Sequence, residues 1–272
     1  AFCEALWREV EAEPADTEKR VYWEGKIADL VVPWNKKLDP GRSDRSLPLR
    51  ISAVLEIVHQ AAPPDTIVLT GAGHSQAQFL QEYTVNDASQ VISPNGFSTL
   101  GFTVPGAIGA KLAAPDRPVL GFAGDGDFLM TVQELAMAAQ YGLDVIYVVV
   151  DNAGWQSIRD LQMDVYGEER GFAAEFRRPS GESISPDLVT VARGFGVQAE
   201  EATDEQALKG AIGRALALGG PTVIVVPVRR EFPESAGPIS GWWDVPVPAS
   251  LPKRRKAYER EVAPVRRDAV KR

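Results

Sequence analysis

The stretch Val119-Leu120-Gly121-Phe122-Ala123-Gly124-Asp125-Gly126, followed after 24 residues by Asp151-Asn152, decides how this chain is read. Val119 to Ala123 predicts a buried strand ending at Gly124. Thr131 to Tyr141 carries Leu135, Met137 and Ala138 at helical spacing, and Val145 to Val150 predicts a second buried strand ending at Asp151. A strand-helix-strand unit makes its strands parallel, so both C-terminal ends open on one edge of the sheet, where ligands of doubly wound folds sit. Asp125 and Asn152, 27 positions apart, thereby become neighbours. A carboxylate, an amide oxygen and a backbone carbonyl assigned to Gly154 suit a hard cation such as Mg²⁺ that shares its oxygen shell with phosphate. Gly126 would let a phosphate approach the backbone, and the following helix offers unpaired N–H groups. Either piece alone reads better as a turn or a strand terminus; the two together on this framework point to a site.

Working outward, the compact region is expected to start near Leu47. The order is a helix (48–62), a strand (66–70), a loop, a short strand (91–92), a helix (101–113), the unit just described, a helix near 155–161 and an irregular stretch. A helix (187–194), a strand (196–199), a helix (204–218) and a strand (221–226) follow. Six strands alternating with helices predict an α/β fold with a doubly wound, mostly parallel sheet. Before it, residues 2–12 and 17–32 predict two helices, and Pro33 with the stretch Asp39 to Pro48 reads as a linker. The expected organisation is a helical extension and linker (1–47), a core domain (48–228), and a Pro-rich arm with a basic tail (229–272).

Composition bounds the function. The chain has 272 residues, 44% of them apolar, enough for a large core. A lone cysteine, Cys3, excludes an internal disulfide, and neither a membrane span nor a secretory segment is legible, so a cytoplasmic protein is expected. The net charge of −8 argues against nucleic acid as the main partner. From Lys253 to Arg272, nine Lys or Arg face only three acidic residues, which reads as a solvated helical tail docking on an acidic neighbouring subunit.

Gly124-Asp125-Gly126 with Asp151-Asn152 resembles the motif of thiamine diphosphate enzymes, which begins with Gly-Asp-Gly and ends in Asn-Asn; Asp151 replaces the first Asn. Two further segments carry the same resemblance to the acetolactate synthase-like family. Thr70-Gly71-Ala72-Gly73-His74-Ser75-Gln76 leaves a strand with glycines at positions 71 and 73 that would admit a phosphate. Ser98-Thr99-Leu100-Gly101-Phe102 to Ala110 aligns with the family's Gly-Thr-Met-Gly-Phe-Gly-Leu-Pro-Ala-Ala-Ile-Gly-Ala element. The resemblance covers residues 48–228 and implies thiamine diphosphate and Mg²⁺ as cofactors. It implies that Gly73, His74, Ser75, Ser98, Leu100, Gly124, Asp125, Gly126, Asp127, Asn152 and Ile158 contact the cofactor, with Asp125, Asn152 and Gly154 on the metal. Leu100 would wedge between the cofactor's two rings, and the Ser98 carbonyl would accept from the aminopyrimidine. Without the resemblance, His74 is a turn residue and Leu100 an ordinary core residue at a helix start; His59, on an apolar helix face, reads as structural.

In this family a glutamate from a separate pyrimidine-binding domain of another subunit protonates the pyrimidine. That glutamate is expected outside this chain, on a second polypeptide or on the other half of a cleaved or truncated enzyme, and the assembled enzyme is expected to be a dimer or tetramer. A flavin (FAD), where used, would belong to a missing or partner domain; residues 1–47 resemble the end of a middle domain. The chemistry implied is cleavage or formation of a C–C bond next to a carbonyl of a small-molecule substrate. Gln156 and Arg159, on the helix after the metal-binding Asn, would face that substrate, Arg159 being equally readable as an exposed helix position. The patches Asp160-Leu161-Gln162-Met163, Ala174-Glu175-Phe176-Arg177 and Gly241 to Val247 resemble the branch that opens cyclic 1,2-diones, including trihydroxycyclohexanedione hydrolase. Trp242 and Trp243 would cover the cofactor or dock the tail. A 2-oxo acid carboligase of the acetolactate synthase type and a non-catalytic cofactor-binding scaffold are the alternatives. A nicotinamide dehydrogenase is disfavoured because neither Gly-X-Gly has the third glycine of GxGxxG.

Overall fold

A computed structural model of the chain describes residues 4, 5, 7, 8, 16–85, 87, 90–167, 170–231 and 247–270. The chain divides into two compact units, residues 1–40 and 41–272. In the first, helix α1 (Thr17–Ser43) begins; it runs through Pro33 and Pro40, so neither proline ends it. The expected linker from Asp39 is therefore helical as far as Ser43, because a proline removes one N–H but leaves the helix standing when the remaining turns are regular.

In the second unit, α2 (Ile51–Ala61), β1 (Ile67–Thr70), α3 (His74–Glu82), β2 (Val91–Ile92), α4 (Thr103–Ala113) and β3 (Val119–Gly124) come first. The helix expected after β3 is divided into α5 (Asp125–Met130), a 3₁₀ turn (Val132–Glu134) and α6 (Leu135–Gln140). Leu135 and Ala138 are buried while Met137 faces solvent. Then follow β4 (Val145–Asp151), α7 (Gln156–Tyr166), α8 (Leu188–Gly194), β5 (Gln198–Glu201), α9 (Glu205–Leu218), β6 (Thr222–Pro227) and α10 (Pro252–Val270).

The six strands form one sheet in the order β2-β1-β3-β4-β6-β5, and every pairing is parallel. The central strands are apolar on both faces, as a covered parallel sheet requires. Along β4, Ile146, Val148 and Val150 join the core under α2 and α9, while Val145, Tyr147 and Val149 join the core under α4 and α8. Gly121 on β3 permits the close approach of α4, since a Cβ there would lie 2.9 Å from Thr103 Cγ2 and from the Tyr147 ring. The Tyr147 hydroxyl then donates to the Val104 carbonyl at 3.2 Å.

The chain leaves β1 for β2 on one side and returns to β3 on the other, so strand order reverses at β1 and opens a crevice at the C-terminal strand ends. No helix among the described residues is long and apolar enough to cross a membrane. The basic helix α10 packs through Tyr258 and Val262 against Val247 and Leu251. Its Arg254 donates to the carbonyls of Met163 (3.1 Å), Asp164 and Val165 (3.0 Å), the last turn of α7, so the tail docks on its own chain. Trp242 and Trp243 lie outside the described residues.

Candidate functional site

A cleft of about 230 Å³ occupies that crevice, and its walls come from the segments that follow four strands in turn. Gly73, His74 and Ser75 follow β1; Ser98 and Leu100 follow β2; Gly124 to Asp127 close β3; Asn152, Gly154, Gln156 and Ile158 follow β4. Arg159 lies outside the lining. Its guanidinium bridges Asp160 at 3.0 Å and Glu175 at 3.3 Å.

The end of β3 and the end of β4 are joined by Asp125. Its carboxylate accepts the N–H of Gly126 at 2.7 Å and that of Gly154 at 2.8 Å. Burial, and then the neighbouring Asp151 carboxylate, push its pKa well above the usual carboxylate range. Asp151 itself is held by the Ala153 N–H and the Ser185 hydroxyl, each at 2.8 Å. Asn152 Oδ1 is buried and has no hydrogen-bond partner among the described residues, an arrangement that costs free energy unless something fills its lone pairs. A buried carboxylate and an orphaned amide oxygen that line one cleft are the kinds of oxygen donor a hard cation takes. Among the described residues no three His, Cys, Asp or Glu side chains converge, so a cation would rest on Asp125, Asn152 Oδ1 and the Gly154 carbonyl. That carbonyl already accepts the Gln156 N–H at 3.0 Å and keeps one lone pair. Three oxygens leave the remaining positions of an octahedral Mg²⁺ to water or phosphate.

The glycines divide into two kinds. Gly73 has φ +90° at the start of α3, a backbone state that favours glycine; it lines the cleft with His74 and Ser75, and the first-turn N–H groups there have no partner within the helix. Gly71 and Gly126, both expected to admit a phosphate, have protein packed where a side chain would begin. A Cβ on Gly71 would collide with the Asp127 carboxylate, and one on Gly126 would lie 2.6 Å from the Trp155 indole. Asp127 lines the cleft, yet its carboxylate accepts the Gly101 N–H at 2.6 Å and the Thr103 hydroxyl, tying β3 to the start of α4. Burial raises its pKa to about 6.

His74 is buried, and desolvation lowers its pKa to about 4. Its Nε2 lies 3.5 Å from Asp160 Oδ2; with the imidazole neutral, this is a polar contact and not an ion pair. Ser98 sits at φ +48°, its hydroxyl donating to Gln76 at 2.6 Å. Leu100 is half-buried on the cleft wall. Gln156 is buried, and its amide donates to the Asn152 carbonyl at 3.3 Å. Outside the site, His59 stands edge-on to Tyr83 with ring centroids 5.4 Å apart.

Two features had no advance signal. Trp155 is an aromatic next to a glycine, but nothing local shows that it packs on Gly126 and, edge-on at 5.0 Å, on Phe176. The segment 174–176 crosses the loop after β4: Trp155 N–H donates to the Ala174 carbonyl at 2.7 Å, and Phe176 N–H to the Ala153 carbonyl at 3.0 Å. Such pairing of an irregular stretch depends on tertiary contacts that no periodicity encodes.

Residues 71–226 match the family model described as thiamine pyrophosphate enzyme, C-terminal TPP binding domain. The chain is 38% identical over 167 residues to the acetolactate synthase large subunit of Parasynechococcus marenigrum, covering 61% of this chain and 26% of that protein. It is 30% identical over 210 residues to 3D-(3,5/4)-trihydroxycyclohexane-1,2-dione hydrolase of Bacillus subtilis, covering 76% of this chain and 32% of the hydrolase. The solved thiamine diphosphate-dependent 4-hydroxybenzoylformate decarboxylase of Rhodococcus jostii superposes with a TM-score of 0.60 at 26% identity, over 68% of this chain and 34% of that one. The chain thus spans about a third or less of the length of these relatives. With a parallel sheet, a cleft at its switch point and a match over residues 71–226, this chain belongs to the thiamine pyrophosphate enzyme family through the C-terminal cofactor-binding domain.

Proposed function

We propose that this chain provides the diphosphate- and metal-binding half of a thiamine diphosphate-dependent enzyme acting on a carbonyl compound, with ring-opening hydrolysis of a cyclic 1,2-diketone as the preferred reaction. The observation that carries the metal-binding role is Asn152 Oδ1, buried and unpartnered, in the same cleft wall as the buried Asp125 carboxylate. In favour of hydrolysis, the match to the dione hydrolase extends over 76% of this chain, against 61% and 71% for the acetolactate synthases of Parasynechococcus marenigrum and Zea mays. The higher identity of the Parasynechococcus marenigrum synthase, 38% against 30%, favours carboligation or decarboxylation of a 2-oxo acid as the second reading.

Bound thiamine diphosphate supplies a thiazolium carbon that adds to a carbonyl and accepts the electron pair of the adjacent C–C bond as it breaks. This chain's residues hold and orient. Asp125, Asn152 and the Gly154 carbonyl would bind Mg²⁺, and the first-turn N–H groups of α3 would receive the diphosphate. Leu100 would press the cofactor into a bent shape, bringing its two rings together so that proton transfer between them is intramolecular. The neutral His74 can donate or accept a hydrogen bond without adding charge. Gln156 is suited to an oxygenated substrate. The glutamate that protonates the pyrimidine is assigned to the pyrimidine-binding domain of a partner chain or subunit. A flavin, where one is used, would sit on a domain outside this chain.

The test combines the chain with a pyrimidine-domain partner, Mg²⁺ and thiamine diphosphate, and supplies cyclohexane-1,2-dione and pyruvate in parallel. Formation of the open-chain oxo acid from the dione supports hydrolysis, and acetolactate from pyruvate selects the second reading. Cofactor binding with no turnover of either compound favours a scaffold role. Failure of thiamine diphosphate to bind in the presence of Mg²⁺ overturns all three.

A further inference from the structure

The loop that would carry the metal is held in an unfavourable backbone state by groups outside the cleft. Ala153 has φ +58° and Gly154 φ +144°; the left-handed region is unfavourable for a residue that bears a side chain. Two contacts oppose relaxation. The segment 174–176 pairs with residues 153–155 through the two backbone bonds already described, and Arg230 reaches in from beyond β6. Arg230 Nε donates to the Asn152 main-chain carbonyl at 2.8 Å, a second nitrogen donates to the Ser183 hydroxyl, and a third lies 3.5 Å from Glu175. Glu175 is in turn bound by Arg177 at 2.8 Å and faces Arg159 at 3.3 Å. One planar guanidinium therefore joins the carbonyl of the candidate ligand residue to Glu175 in the crossing segment and to Ser183 beyond it, a fork geometry that lysine cannot reproduce.

We infer that Arg230 is a positioning residue for the metal loop, fixing the Asn152 backbone so that its side-chain oxygen is held in the cleft wall it shares with Asp125. The inference rests on the reading of Asp125, Asn152 and Gly154 as the Mg²⁺ donors. Outer groups that orient metal ligands typically contribute 10- to 100-fold in metal affinity. A role confined to this loop lowers the part of thiamine diphosphate affinity that depends on the metal and leaves the metal-independent part alone.

The test is calorimetric titration of the full chain with thiamine diphosphate, with and without Mg²⁺, for wild type, Arg230→Met, Arg230→Lys and Glu175→Gln, with thermal unfolding of each protein measured in the absence of metal. Expected for Arg230→Met is a loss of about 10- to 100-fold in the Mg²⁺-dependent increment, with Arg230→Lys and Glu175→Gln intermediate and metal-free affinity and unfolding temperature close to wild type. An Arg230→Met protein with the wild-type Mg²⁺ increment overturns the inference and leaves the metal assignment standing. Equal weakening with and without Mg²⁺, or a lowered unfolding temperature that accounts for the loss, also overturns it, because the role would then be structural. A wild-type chain with no Mg²⁺ increment removes the metal assignment itself.

Discussion

The Asp125 carboxylate and the Gly154 N–H, 29 residues apart in sequence, meet at 2.8 Å across the ends of two paired parallel strands. This one bond locks the β3 and β4 exits into a fixed spacing before any ligand arrives. It also holds the carboxylate where burial and Asp151 disfavour its charge.

Asp125→Asn is therefore expected to separate binding from stability. Removing the charge relieves the repulsion with Asp151, while the single amide oxygen of Asn can accept only one of the Gly126 and Gly154 N–H groups, which bind separate carboxylate oxygens. The two effects offset, so the unfolding temperature without metal should stay near wild type. The Mg²⁺-dependent affinity for thiamine diphosphate should fall by at least about 100-fold, since a charged donor is lost. Calorimetry and thermal unfolding on one preparation check both; unchanged affinity refutes the metal assignment.

Leu100→Ala bears on cofactor shape. Its half-buried side chain lines the cleft, so truncation should cost only about 1 kcal/mol of stability. In the enzyme assembled with its partner, turnover should drop by a larger factor than cofactor affinity. If kcat and Kd both remain at wild-type values, the wedge role is wrong.

His74 sets an acid-side dependence. Its folded pKa of about 4 lies below the ordinary value of 6.5, so its contribution is fully present above pH 6.5 and declines as pH falls toward 4, reaching at most about 3 kcal/mol. His74→Gln should flatten the stability profile across that window. Burial moves Asp160 the other way, to about 6, so its own cost grows as pH rises from about 4 to 6. The imidazole resonances of His74 in NMR spectra should show no titration between pH 7 and 5; a midpoint near 6.5 contradicts the buried, neutral assignment.

Gly154→Ala should be among the most damaging single changes in the cleft. Besides the strained φ, the new Cβ would meet the Ala174 carbonyl oxygen at 2.5 Å, which displaces the crossing segment. A loss of roughly 3 kcal/mol or more is expected in denaturant unfolding, with faster amide exchange at Trp155 and Phe176.

Arg254→Ala tests the docking of α10. The guanidinium serves the carbonyls of Asp164 and Val165, which the helix cannot pair internally, and adds a second donor to that of Met163, which already accepts the Gly167 N–H at 2.8 Å. Amide exchange should rise in the C-terminal turn of α7 while β3 and β4 remain protected. Equal protection in the variant would show that water serves those carbonyls as well.

The sheet was legible because its strands are apolar runs bounded by glycine, proline and charged residues, and burial on both faces leaves little ambiguity about such runs. The places of Asp125 and Asn152 in the cleft lining were legible for the same reason, since strand ends fix where they lie. Helix interruptions were not: Pro33 and Pro40 read as stops because propensity is local, whereas regular turns on either side of each proline carry α1 through. The neighbours of Gly71 and Gly126 were not legible, because only the fold brings the Asp127 carboxylate and the Trp155 indole to the side where a Cβ would stand. Arg159 was an even choice from the sequence, and its ion pairs with Asp160 and Glu175, distributed over two segments, were not legible there either.

Four consecutive strand exits each bring a different implement to the same crevice. The loop after β4 combines the proposed cation donors at its start with an accessible helical surface, Ile158 and its neighbours, a turn farther along. On the proposed reading, variation on that surface would retune which molecule is accepted while the anchoring chemistry stays untouched, so descendants of such a scaffold would diversify their appetites without relearning how to grip the vitamin.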